Sequence, residues 1–193
     1  GHDFYVLRLG TAETLVYDKT TDTWYNWGSG DTPLWNVYNG INWTDGNGFA
    51  AEYGSNVLVG SDSNGALFFL DPDQAFDNAA VDGRNDIPFT RRVTGQLAYR
   101  GYENISVYQT HLIGSVGELV DTNYNTITLS YSDDRGDNYT DAGTITVTDG
   151  DYDVRAVWRS LGSFSNPGRL FRLEDRGALA RIDSLTVDSD LEG

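Results

Sequence analysis

The feature that most restricts this chain is its punctuation. Short runs of β-branched and aromatic residues are broken about every ten residues by Gly, Asp and Asn, a rhythm that suits short strands joined by turns. Glycine occurs 22 times and aromatic residues make up 13% of the chain, so both the turns and the apolar faces of a sheet protein are supplied. The expected fold class is all-β.

Two units of the first half read alike. Runs at 4–9 and 14–17 are followed by an Asp18-containing turn and Trp24; runs at 56–60 and 66–70 flank a turn at 61–65 and precede Asp71. Asp18 and Asp71 stand in equivalent places, and the pattern reads as successive four-stranded blades of a β-propeller-like region over residues 1–92. Trp35, Trp43 and Phe49, set among Gly40, Gly46 and Gly48, read as an inner hairpin whose rings pack between blades.

A different pattern begins near Arg92. Seven runs, at 93–99, 105–113, 126–131, 144–148, 154–158, 170–173 and 182–187, read as strands of a β-sandwich-like region over 93–193. Ile127, Leu129 and Tyr131 alternate with Thr126, Thr128 and Ser130, which puts the apolar side chains on one face. By the same period, Val154, Ala156 and Trp158 face one way and Arg155, Val157 and Arg159 the other.

Charge excludes some functions. Acids number 29 against 13 bases, a formal charge of -16, which disfavours a tight DNA clamp but permits a surface along which DNA slides. All the bases but Lys19 are Arg, the residue suited to bidentate carboxylate pairs and aromatic stacking. Six of these arginines lie in 151–193, the segment expected to make Arg-mediated contacts; Arg155, Arg159 and Arg172 are the expected subunit contacts.

No cysteine is present, so disulfides, thiolate metal sites and thiol nucleophiles drop out. Nor is there an apolar run near membrane-spanning length or a leader-like segment, and no membrane association is expected. Methionine is absent too, so Gly1 is expected to follow processing or to begin a piece of a longer product.

The clearest local motif, Ser132, Asp134, Gly136 and Tyr139, has Asp-box spacing with Tyr in the usual Trp position, and reads as a structural fastening of a hairpin. The Arg135-Gly136-Asp137 triplet inside it is explained by the same turn. Asp149, Asp151 and Asp153 start like a calcium loop, but Val154 and Ser160 stand where Gly and Glu are needed. His2 and His111 are too far apart to nominate a zinc pair or a triad, and the triplets starting at Asn42, Asn104 and Asn138 matter only in a secreted eukaryotic protein. No catalytic, cofactor-binding or metal residue is nominated, and no enzyme activity is expected.

The ordered elements 127–134, 154–162 (with Trp158-Arg159 and Leu161-Gly162) and 169–173 resemble the C-terminal region of bacteriophage packaged-DNA stabilisation proteins, the tail hub or nozzle of short-tailed phages. The runs at 1–7, 14–18 and 59–65, with Trp24, resemble that family's last propeller blades. The resemblance implies a structural virion protein, made in the bacterial host cytoplasm, that forms a six-fold ring below the portal and adaptor. It implies docking of tail needle or fibre proteins, transient contact with packaged DNA, and no cofactor. A carbohydrate-binding or sialidase-like propeller module is the competing expectation, and a hydrolase on the same scaffold ranks behind both.

Overall fold

The computed structural model describes residues 3–29, 32–43, 56–62, 64–70, 88–96, 104–117, 119 and 122–192. The described secondary structure is β-strand apart from one 3-10 turn at Thr122–Tyr124, and no described helix is long and apolar enough to cross a membrane. The chain divides into two compact units, Gly1–Phe89 and Thr90–Gly193, three residues ahead of the expected division.

In the first unit, strands β1 (Phe4–Leu9), β2 (Glu13–Asp18) and β3 (Thr23–Trp27) form one antiparallel sheet, and β4 (Val37–Trp43), β5 (Asn56–Ser61) and β6 (Leu67–Leu70) form another. Four-stranded blades were expected; among the described residues each sheet has three strands and neither closes on itself. The β2–β3 turn follows from Asp18, which is buried and accepts bonds from the Thr20 amide at 2.8 Å and the Thr21 hydroxyl at 2.9 Å. Trp35 packs edge-on against Trp27 at 5.1 Å, and Phe4 meets Trp27 from another side at 5.3 Å. The Trp43 side chain, Phe49 and Asp71 lie outside the described residues.

The second unit is a sandwich of two antiparallel sheets. One runs β10 (Thr140–Thr146), β9 (Thr126–Ser132), β13 (Leu170–Asp175), β7 (Arg91–Gln96). The other is built around β8 (Asn104–Ser115), which pairs with β11 (Val154–Arg159), with the two-residue β12 (Ser163–Phe164) and with β14 (Arg181–Glu192). Ile127 and Leu129 of the first sheet and Leu112, Val154, Ala156 and Trp158 of the second are buried in one core with Phe164, Phe171 and Leu173. Burying each large side chain contributes about 1.5–3 kcal/mol, which is what the period-two pattern secures.

Bulges in β8 and β10 bend that pattern. In β8 the buried positions run Ile105, Val107, then Thr110 and Leu112, because the pairing with β14 skips a residue between Val107 and Gln109. Tyr108 occupies that bulge, and the phase of every later residue is shifted by one. In β10 a bulge lies between Asp141 and Gly143; Asp141 accepts the Gly143 amide at 2.7 Å, and the Gly143 carbonyl takes the Trp158 indole N–H at 2.9 Å, joining the two sheets.

Candidate functional site

The β9–β10 hairpin is closed by the residues singled out from the sequence. The buried Ser132 hydroxyl donates to Asp134 Oδ1 at 2.6 Å and accepts the Gly136 amide at 2.8 Å. Asp134 in turn accepts the backbone N–H of Asn138 at 2.9 Å and its side-chain amide at 2.7 Å. The Asn138 backbone bond, then the Ser132 hydroxyl and the Asn138 amide, hold the Asp134 carboxyl at about 2, below the ordinary 3.8. Arg135 and Gly136 adopt positive φ values of 67° and 99°, which turns the chain back toward β10. Tyr139 lies beneath the Arg172 guanidinium, 3.8 Å from its ring centre, and Arg172 Nε donates to Ser130 Oγ at 3.2 Å. These four hairpin residues and Arg172 therefore form one local assembly, and Arg172 is spent inside its own sheet.

Arg155 and Arg159 lie on the other sheet, on its outer face. Direct pairing sets up three rows across β11, β8 and β14: Arg155, Ile113, Ser184; Val157, His111, Thr186; Arg159, Gln109, Asp188. Val154, Ala156 and Trp158 point into the core, as their alternation requires, while Arg155 and Arg159 are exposed. The structure thus groups Arg155 with Arg159 and places Arg172 on a different sheet. Gln109 Nε2 donates to Asp188 at 2.8 Å and His111 Nε2 lies 3.2 Å from it; the Gln109 bond first, then His111, lowers the Asp188 pKa. Among the described residues Arg155 forms an ion pair only with Asp153, at 3.3 Å between two exposed side chains, and Arg159 forms none.

The strongest arginine contact was not singled out by the sequence reading. Arg169, 2% exposed, bonds Asp133 through Nε at 2.6 Å and Nη2 at 2.7 Å, donates to the Leu161 carbonyl at 2.5 Å, and lies 3.9 Å over the Tyr131 ring. Its only sequence signal was the bias toward Arg in the last segment; Asp133 lies 36 residues away. A second such contact joins Arg91 to the buried Asp175 at 2.9 Å, with Arg91 also capping the Leu179 carbonyl at 2.5 Å.

The remaining motif residues are dispersed. Asp149 accepts the Leu119 amide, Asp151 the Asp153 amide, and Asp153 faces Arg155, so the three carboxylates do not converge. Arg135 and Asp137 are exposed at the hairpin turn, and His2 lies outside the described residues. Among the described residues no group of three or more His, Asp or Glu is arranged to hold a metal ion.

Comparison with known proteins bears on the second unit. None of the curated proteins matches the chain. Among solved structures, the C-terminal domain of a chitobiase from Bacteroides fragilis is 17% identical, covering 56% of this chain and 68% of that one at a TM-score of 0.38, too distant to bear on function. Residues 90–182 match the family model described as bacteriophage P22 Gp10, beta-sandwich, a span that holds β7 through β13 and the first two residues of β14. The second unit is similar to that β-sandwich.

Proposed function

We propose that the chain is a non-catalytic component of a phage tail hub or nozzle. It assembles as a ring below the portal and adaptor, extends the DNA channel and helps to retain packaged DNA within the virion. The observation that carries this reading is the family match over residues 90–182, which holds seven of the eight strands of the β-sandwich. Two physical features support it. A charge of -16 suits a conduit whose wall repels the DNA moving past it. The sandwich is also braced internally by Arg169 and Arg91, which favours a rigid building block over a mobile lid. On this reading the first unit supplies propeller-like sheets, and tail needle or fibre proteins dock on the assembled ring. Mixing the purified chain with the portal and adaptor proteins of the same phage tests the role: co-sedimentation in a complex of defined mass is expected. A chain that ignores both proteins contradicts it.

One observation favours the alternative of a carbohydrate-binding module. Tyr5, Tyr17 and Trp24 are paired directly across β1, β2 and β3, with Tyr5 56% and Trp24 54% exposed, which makes a row of aromatic side chains on one sheet face. A saturable change in tryptophan fluorescence with oligosaccharides, abolished by Trp24→Ala, would favour this reading over the tail component.

A further inference from the structure

The outer face of β11, β8 and β14 combines features that the fold itself does not use. Ile113 is 40% exposed and sits directly opposite Arg155 in the first row, Val157 is half-buried in the next, and the bulge turns Tyr108 outward at 56% exposure. Exposed apolar groups interspersed with arginines suit a protein interface: the apolar groups supply desolvation and the charges set the register. Arg159 has no ion-pair partner among the described residues, and Arg155 holds only its near neighbour Asp153, with both side chains open to solvent.

We infer that this face docks on the acidic first unit of a second copy of the chain, in a head-to-tail contact; this rests on the reading of the chain as a ring-forming tail component. Charge complementarity selects this partner surface. Gly1–Phe89 carries thirteen acids against three bases. Arg8 is already bound to Asp62, and Lys19 lies 3.8 Å from Asp3, so the described cations of that unit are matched within it. Asp22 stands exposed there, taking the Tyr17 hydroxyl and paired with no cation among the described residues. A two-fold contact of the arginine face with itself would offer Asp188 as the one acid for two arginines in these rows, and Asp188 already bonds Gln109 and His111. Contact with a different, acidic surface satisfies both arginines. Such a contact is heterologous, the kind that generates a closed ring when its rotation closes.

The absence of cysteine allows a direct test. Val157→Cys, carrying a benzophenone maleimide in the otherwise unchanged full chain, is assembled from mixed light- and heavy-nitrogen protein, irradiated and mapped by mass spectrometry. Cross-links from Val157 to residues 1–89 of another copy are the expected result. Alongside it, the double variant Arg155→Glu, Arg159→Glu should keep its circular dichroism spectrum while associating at least about tenfold more weakly. Cross-links to residues 104–115 or 181–192 of another copy, or to no other copy within an assembled ring, overturn the inference and leave the ring reading standing. So does a folded double variant that assembles like its parent. If the parent chain never self-associates, the ring reading falls and the inference with it. Should the double variant not fold, the cross-link map alone decides.

Discussion

Arg169 and Asp133 meet through two parallel N–H···O bonds, but the pair is lopsided: the arginine side chain is 2% exposed and the aspartate 44%. The guanidinium is thus a buried cation whose counter-charge reaches in from the surface, at the point where β9 enters its hairpin and β13 begins.

This asymmetry predicts an order of stabilities. Asp133→Ala leaves a buried cation unpaired and should cost about 3 kcal/mol, the scale for breaking a buried ion pair. Arg169→Met leaves a carboxylate that water can solvate and an apolar side chain between Tyr131 and Phe164; it gives up the bond to the neutral Leu161 carbonyl but leaves no buried charge, and should cost less. Urea unfolding of both variants checks the order, and equal losses or the reverse order would contradict it.

Acid should loosen the hairpin. Asp134 is held at about 2 in the folded chain against an ordinary 3.8, so its contribution to stability is complete above pH 3.8 and is lost as pH falls toward 2. Carboxyl NMR titration should give a midpoint near 2, and Ser132→Ala, which removes one of the bonds to the charged form, should raise it. An unmoved midpoint in that variant would show that Ser132 has no part in it.

Thr110 lies on the core side of β8, and its buried hydroxyl has no hydrogen-bond partner among the described residues. Thr110→Val replaces that hydroxyl with a methyl of similar size and should stabilise the chain by about 1 kcal/mol. The thermal midpoint should rise; a clear fall would mean that the hydroxyl has a partner in solution.

Close approach of two strands fixes one glycine. A methyl group at Gly114 would stand 2.5 Å from the Arg181 carbonyl oxygen, while one at Gly95 would meet nothing within 4 Å. Gly114→Ala should therefore cost about 1–3 kcal/mol and Gly95→Ala much less, as read from denaturant midpoints.

How far the sequence could be read depended on whether a structural feature was local. Alternation is local, so β1, β9 and β11 fell where expected, and the opposed faces of Val154, Ala156 and Trp158 and of Arg155 and Arg159 followed. Bulges are not local in this sense. Nothing near Tyr108 announces that β14 will skip it, and the bulge beside Gly143 hid the first half of β10, which begins at Thr140 instead of 144. The hairpin of Ser132, Asp134 and Gly136 was legible because its partners lie within four residues. By contrast, Asp133 and Arg169 are joined across 36 residues, and only the folded chain brings them together. The first unit was read with the right β-rhythm, but the described residues show three strands in each of its sheets where four were expected, since the count of strands in a sheet is set by packing and not by turns.

The most direct test of the account is the mass of the full chain in solution by multi-angle light scattering across a wide concentration range, with negative-stain images of the same sample. A discrete multiple of the monomer mass and closed rings with a central opening are the predicted result. A monomer at every concentration, with no rings, would contradict it.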